Sequence, residues 1–243
     1  MVADQYVWIT WSGAFLVPWT GLFLGVPRLR RVMVLSSVFT MPFGLTEPLF
    51  VPRYWNPPSL FDLAHRTGFD LESLIFCFAI GGVGVILYSA ITHKAFQSIR
   101  MPQRRRARHG HHRAALLVPL IAFPALYLLP WNPIYPAILA MALGGAATFA
   151  CRPDLKWHTV VGGALFAAYY AVFMILLEWS APGYIARVWN LADLSGVRIM
   201  DIPLEELLFG FVFGIYWSGI YEHVAWRSVV APVPTDGHRR GHP

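Results

Sequence analysis

The sequence is poor in charged residues. Aspartate, glutamate, lysine and arginine together make up 13% of its 243 residues, whereas 56% are hydrophobic. A soluble domain usually carries about 25% charged residues. The composition therefore excludes an ordinary soluble domain and predicts an all-α, polytopic membrane helix bundle.

Cysteine and lysine are scarce as well. Two cysteines, Cys77 and Cys151, give neither a disulfide framework nor the spacing of a metal site, so we expect packing roles, no metal centre and no cofactor. Lys94 and Lys156 are the only lysines. This excludes a seven-helix retinal protein, whose Schiff base needs a lysine in its last helix. There is also no strand-linked glycine fingerprint of a dinucleotide site.

Seven apolar stretches have about the length of a membrane-spanning helix, roughly 17–25 residues. A Pro130–Pro133 turn separates the fourth from the fifth, and Pro42, Gly44 and Pro48 should bend the second. We predict spans over 6–26, 33–51, 70–92, 114–130, 134–150, 157–178 and 202–224.

The basic residues cluster in the connections after the first, third and fifth stretches and in the tail. Because basic loops stay cytoplasmic, we predict an integral protein of the cell (inner) membrane with its N-terminus outside and its C-terminus in the cytoplasm. The net charge of +6 then reflects topology and contact with membrane lipids, with no nucleic acid bound. The linker histidines His109, His111 and His112 could bind a metal, but we predict a solvated, lipid-facing basic loop.

The chain contains a weak internal repeat. Trp55-Asn56 lies 17 residues before Glu72, and Trp189-Asn190 lies 16 residues before Glu205. This order predicts a parallel 3+1+3 duplication around a connecting fourth helix. The predicted units are a first three-helix repeat (1–92), a basic linker with helix 4 (93–133), a second repeat (134–224) and a polar cytoplasmic tail (225–243).

Acidic residues gather at one predicted level of this bundle. Seven of the thirteen lie at the non-cytoplasmic ends of helices 2, 3, 6 and 7. An ionised group in apolar surroundings is costly, so such groups are neutralised, paired or used. We call this set the carboxyl layer; it comprises Glu47, Asp70, Glu72, Glu178, Asp201, Glu205 and Glu206.

Aromatic residues make up 15% of the chain. Most should anchor the membrane interfaces, but a ring face inside a dry pocket stabilises a cation by about 0.5–2 kcal/mol. Carboxyls combined with aromatic rings favour carbocation chemistry. As substrate-binding residues we predict Trp55, Trp189, Phe209, Glu47 and Glu178.

Trp189-Asn190 followed by Pro203-Leu204-Glu205-Glu206-Leu207-Leu208-Phe209 resembles the lycopene cyclase domain family, the small non-flavin carotenoid cyclases. The resemblance implies two three-helix units, each with a Pro-x-Glu-Glu/Asp motif and an aromatic residue, here in the fused form. The first half departs from this pattern. Its Asp70-Leu71-Glu72-Ser73 lacks the proline and the second acid.

The resemblance implies an intramolecular lyase or isomerase that performs redox-neutral acid/base cyclisation of a linear polyene end group, such as that of lycopene. We expect Glu205 to donate the proton and Glu72 or Glu206 to act as the base. The expected partners are the lipophilic polyene and other carotenoid-pathway enzymes.

Three alternatives remain open. A small-solute transporter could share the 3+1+3 plan, but Asn56, Asn132 and Asn190 are the only asparagines available to bind a polar solute. A carotenoid hydratase would add water to the same cation. A non-catalytic pathway subunit would explain the divergent first motif.

Overall fold

The computed structural model describes residues 4–104 and 109–230, and these residues are mostly helical. Five segments are long and apolar enough to cross a membrane, which supports the predicted membrane bundle. They are Asp4–Gly25, Pro27–Leu49, Leu71–Ile91, Ile134–Cys151 and Pro153–Ser180.

The first half begins with α1 (Asp4–Gly25) and α2 (Arg30–Thr40). At Met41 the α-helix gives way to a 3₁₀ segment, Met41–Leu49, which contains the prolines that the sequence placed there. The short α3 (Leu63–Thr67) precedes the long, apolar α4 (Leu71–Ile91).

The linker region contains β1 (Ala95–Ser98), α5 (Met101–Arg104) and α6 (His112–Tyr127). Its remaining predicted basic residues, Arg105, Arg106 and Arg108, lie outside the described residues. The prediction that the linker histidines are solvated was wrong for His109 and His112, which are both buried, because the protein packs other side chains around them.

The second half comprises five helices and three short strands among the described residues. They are α7 (Ile134–Cys151), α8 (Lys156–Ser180), α9 (Tyr184–Val188), β2 (Arg198–Ile199), β3 (Ile202–Pro203), α10 (Leu204–Ser218), α11 (Ile220–Val224) and β4 (Arg227–Val230). Strand β4 pairs antiparallel with β1 of the linker, with Phe96 opposite Val229. Residues 231–243 of the predicted tail, with Arg239 and Arg240, lie outside the described part of the chain.

Each predicted apolar stretch contains a helix, but two of these helices are short. Helix α6 has 16 residues with Pro119 and Pro124 inside it, and α10 has 15 residues. The seven-span count therefore stays a prediction. Helix α10 begins at Leu204, which leaves Asp201 exposed in the preceding turn with a positive φ of 64°.

Helix α4 holds the two halves together, since it packs against α1, α2, α8 and α10. On its first turn it lies directly against the 3₁₀ segment at Gly44. A Cβ atom on Gly44 would come within 2.7 Å of the Leu74 backbone nitrogen, so only glycine permits this approach. The contact places Glu47 beside the start of α4.

Candidate active site

The two Trp-Asn pairs contact each other directly. Trp55 and Trp189 form an isolated antiparallel bridge, and their ring centroids are 5.3 Å apart. The backbone N–H of Asn56 donates to the Val188 carbonyl (2.8 Å), and the backbone N–H of Asn190 donates to the Tyr54 carbonyl (2.9 Å). These reciprocal bonds join the two Trp-Asn segments, which are far apart in the chain.

Glu206, in the first turn of α10, is held by three aromatic donors. Its side chain is 3% exposed and accepts hydrogen bonds from the Tyr54 hydroxyl, from the Tyr170 hydroxyl (2.5 Å) and from Trp189 Nε1 (2.7 Å). Burial raises the pKa of Tyr54 well above its usual value, so this hydroxyl keeps its proton. Donors converging on both oxygens stabilise the anionic form and oppose the cost of burying it.

Glu47 and Asp70 form a contrasting pair in the first half. Asp70 caps α4 by accepting from the Ser73 amide (2.6 Å), and its own amide donates to Glu47 Oε2 (3.2 Å). Both carboxyls are buried, and the bond from the Asp70 backbone holds the Glu47 side chain beside Asp70. Glu47 Oε1 and Asp70 Oδ2 have no donor among the described residues. One proton shared between the carboxyls would satisfy both oxygens.

Glu72 lies in the first turn of α4 and Glu205 in the first turn of α10, and each binds the backbone of a loop. Glu72 Oε1 accepts from the Leu60 amide (2.7 Å), and Glu205 Oε1 accepts from the Ser195 amide (2.8 Å). Glu205 also accepts from the Tyr135 hydroxyl (2.7 Å). Both loops follow a Trp-Asn pair, so these buried carboxyls hold the backbone around the site.

Glu178 has a similar backbone role. Its Oε1 accepts from the Gly183 amide (2.5 Å) and its Oε2 from the Ile185 amide (3.1 Å). The side chain is half-buried and ties the end of α8 to the start of α9.

A cavity of about 610 Å³ lies between the halves. Its walls are apolar and aromatic, and Glu47 and Glu206 are its carboxyl groups among the described residues. Glu72, Glu178 and Glu205 are absent from the described lining. Its aromatic lining around the carboxyls includes Trp8, Trp55, Phe76, Tyr170, Trp189, Phe209 and Phe213.

One wall of the cavity also faces the apolar exterior. The cavity is lined there by Phe39 at the end of α2, by Phe43 in the following 3₁₀ segment, and by Leu117 and Leu120 of α6. Phe39 is 62% exposed and Leu120 is 52% exposed. In a bilayer these side chains would meet lipid, so an apolar molecule could enter between α2 and α6.

The structure brings five of the predicted site residues together at the cavity, namely Glu47, Trp55, Trp189, Glu206 and Phe209. Sequence reasoning missed the tyrosines that bind Glu206. Two signals could have found them: Tyr54 directly precedes Trp55-Asn56, and Tyr170 is a polar group in the middle of an apolar run.

The described residues thus form a bundle with five helices of membrane-spanning length and an aromatic cavity that contains two carboxyls, which is the architecture of a polytopic membrane protein. Residues 132–224 match the family model of lycopene cyclase, which confirms the resemblance for this part of the chain and points to a family of carotenoid cyclases. The matched segment contains Trp189, Glu205, Glu206 and Phe209. Searches of the curated proteins and of the solved structures found no match.

Proposed function

We propose that this protein is a membrane carotenoid cyclase, which closes a ring at the end of a linear polyene by redox-neutral acid/base chemistry. The observation that carries the proposal is the presence of two differently held carboxyls, Glu47 and Glu206, on one aromatic cavity in a chain that matches the lycopene cyclase model.

The cavity suits an apolar substrate. Its volume of about 610 Å³ is in the range of ligand sites, and its polar groups are few. The wall formed by α2 and α6 would admit a polyene directly from the bilayer. A polar solute would need many more hydrogen-bonding groups, so these features favour a cyclase over a transporter.

The Glu47–Asp70 pair is the proton donor in this proposal. Its shared proton goes to a carbon of the terminal double bond of the polyene, which leaves a tertiary cation. The π electrons of a nearby double bond then form the new carbon–carbon bond and close a six-membered ring, and the positive charge moves into that ring. Aromatic faces around the cavity stabilise both cations.

Glu206 is the base. Its carboxylate removes a ring proton adjacent to the cationic carbon, and the released electron pair forms the ring double bond. Atoms and electrons balance without a cofactor, because the product is an isomer of the substrate. The proton on Glu206 must return to the Glu47–Asp70 pair before the next turnover.

Glu72 and Glu205 are positioning residues in this scheme. The sequence favoured Glu205 as the proton donor. However, Glu205 is engaged by the Ser195 amide and the Tyr135 hydroxyl, and it does not line the cavity among the described residues. These observations do not support that role. Glu205 instead holds the loop that leads into α10. Glu178 likewise positions backbone and has no contact with the cavity among the described residues.

The same proposal includes seven spans in a parallel 3+1+3 repeat, with the N-terminus outside and the C-terminus in the cytoplasm of the inner membrane. The reciprocal bonds between the Trp-Asn segments and the matching roles of Glu72 and Glu205 support a repeat. Pairing of β1 with β4 supports a common side for the linker and the tail.

The test is expression in a bacterium that accumulates lycopene, followed by chromatography and mass analysis of the pigments. We expect a cyclised product with the mass of lycopene and a changed absorption spectrum. A product heavier by one water would indicate a hydratase and would contradict cyclisation. Unchanged lycopene, with the protein present in the membrane and an authentic cyclase active in parallel, would also overturn the proposal.

A further inference from the structure

Two histidines and a cysteine converge at the end of the molecule opposite the carboxyl layer. His109 precedes α6, His112 is its first residue, and Cys151 is the last residue of α7. All three side chains are buried, and their ligand atoms lie within 4.8 Å of one another. Nothing in the proposed cyclisation uses them.

The distances fit a tetrahedral ion. Cys151 Sγ lies 3.4 Å from His112 Nδ1 and 3.6 Å from His109 Nδ1. Zinc at about 2.3 Å from a thiolate and about 2.0 Å from an imidazole would hold sulfur and nitrogen about 3.5 Å apart. Only the separation of the two imidazoles would need to shorten for both to bind one ion.

The orientation of His112 is supported by ring packing. Its ring stacks on that of Trp226 and lies perpendicular to that of His223, and its Nδ1 faces the cysteine. This packing fixes the plane of the imidazole.

His223 provides a further ligand-type group. Its side chain is fully buried, its ring lies perpendicular to that of His112 at 4.5 Å, and its Nδ1 lies 3.4 Å from the Thr148 hydroxyl. Nε2 of His223 is buried without a hydrogen-bond partner among the described residues. A buried imidazole with one nitrogen held and the other unpartnered is suited to a ligand role.

An aromatic ring and a charged pair border the cluster. Trp226 stacks on His112 with ring centroids 3.9 Å apart. Arg152, which follows Cys151 in the chain, is held by a salt bridge to Asp154 at 2.7 Å. Asp154 therefore offsets part of the positive charge that would oppose a cation here.

We propose that His109, His112 and Cys151 bind one Zn²⁺ ion, with His223, whose ring packs against His112, as the candidate for the fourth position. The ion would tie the start of α6 to the end of α7. Since Leu117 and Leu120 of α6 form part of the cavity wall that faces the exterior, the metal would fix the position of that wall. From the sequence we predicted no metal, because the two cysteines have no metal-site spacing and the histidines lie in a basic linker. His112 and Cys151 are 39 residues apart in the chain.

The test is the metal content of the full chain, purified in detergent without a histidine tag. We expect one zinc per chain in the wild type and its loss in Cys151→Ser and in His112→Ala. The matched controls are Cys77→Ser, the other cysteine, and His111→Ala, an exposed neighbour of the cluster. Both controls should retain the zinc.

A second measurement uses only the wild-type protein, so its result does not depend on whether the variants fold. Wild-type protein, stripped of metal and titrated with Co²⁺, should show the absorption bands of tetrahedral cobalt and a thiolate-to-cobalt charge-transfer band. No zinc in the purified protein and no thiolate band with Co²⁺ would overturn the proposal. Zinc retained equally by Cys151→Ser, His112→Ala and the wild type would overturn it as well.

Discussion

The two halves of the molecule use their carboxyl groups alike in one respect and differently in another. Each half has a buried glutamate, Glu72 or Glu205. Its carboxyl accepts a hydrogen bond from a backbone N–H in the loop that follows a Trp-Asn pair. The next residue differs. The second half has Glu206, which three aromatic side chains hold at the cavity, whereas the first half has Ser73.

The first half supplies its cavity carboxyl from another element. Glu47 comes from the 3₁₀ segment after α2 and faces Asp70 with one oxygen unpartnered among the described residues. A carboxyl saturated with donors is stabilised as the anion, while one beside a second carboxyl is stabilised when the pair holds a proton. In the proposed mechanism this difference separates the base, Glu206, from the acid, the Glu47–Asp70 pair.

The largest effect should follow from Glu206→Gln. An amide cannot accept the ring proton, so cyclisation should fall by about 10²–10⁴-fold, the usual contribution of a general base. Pigment conversion in lycopene-accumulating cells, normalised to membrane-bound protein, measures this. The control is Glu178→Gln, which changes a carboxyl away from the cavity and should keep most of the activity. Equal activity of both variants would remove Glu206 from the mechanism.

Glu47→Gln should cost about 10²-fold or more, because the glutamine amide cannot share a carboxyl proton with Asp70. Thr46→Ser, at the preceding cavity residue, should keep activity close to that of the wild type. The same pigment assay compares the two. If Glu47→Gln is fully active, the proton comes from another group and the contrast between the halves has no catalytic meaning.

Tyr170→Phe should have an intermediate effect. It deletes one of the three donors to Glu206, and a hydrogen bond to a charged group contributes about 1.5–3 kcal/mol. This corresponds to roughly 10–100-fold in rate if the carboxylate is the acting form. Tyr169→Phe is the matched control, since the Tyr169 hydroxyl is buried without a partner among the described residues. Equal losses in both variants would show a packing effect only.

Gly44→Ala should destabilise the first half without changing any carboxyl. The added methyl would meet the backbone of α4 at 2.7 Å, and overpacking of this kind costs about 1–3 kcal/mol. Thermal unfolding in detergent measures the change. Gly13→Ala, on α1, has nothing within 4 Å of its added methyl and should leave the protein as stable or slightly more stable. An unchanged midpoint for Gly44→Ala would mean that the 3₁₀ segment and α4 are not closely packed there.

The smallest effect should be that of Glu205→Gln. The glutamine carbonyl can still accept from the Ser195 amide and the Tyr135 hydroxyl, so only about 1 kcal/mol should be lost and activity should fall by less than about tenfold. The pigment assay, run beside Glu206→Gln, separates two adjacent carboxyls. A loss as large as that of Glu206→Gln would restore Glu205 as the proton donor.

Much of the architecture could be predicted from composition. Low charge and long apolar runs predicted the helices, and proline and glycine predicted the break at Met41–Leu49. The Trp-Asn pairs and Pro203-Leu204-Glu205-Glu206 pointed to the level of the site and to the matched family. These features depend on local chemistry, which a sequence displays directly.

The sequence could not say which carboxyl faces the cavity. Glu205 and Glu206 are neighbours separated by about 100° around a helix, and an almost uniformly apolar helix has no pattern that distinguishes its faces. Glu47 and Glu178 each close an apolar run in the sequence, so the sequence did not distinguish them. In the structure Glu47 lines the cavity, whereas Glu178 is not among its described lining residues.

What the sequence determined alone is therefore a membrane-type helical chain with a layer of acids and a lycopene cyclase segment. The tertiary structure decided that Glu206 and Glu47 share a cavity, that Tyr54 and Tyr170 bind Glu206, and that His112 meets Cys151. Each of these contacts joins residues far apart in the chain. Helix packing, set by close approaches such as Gly44 on α4, brings such residues together, and no local pattern encodes it.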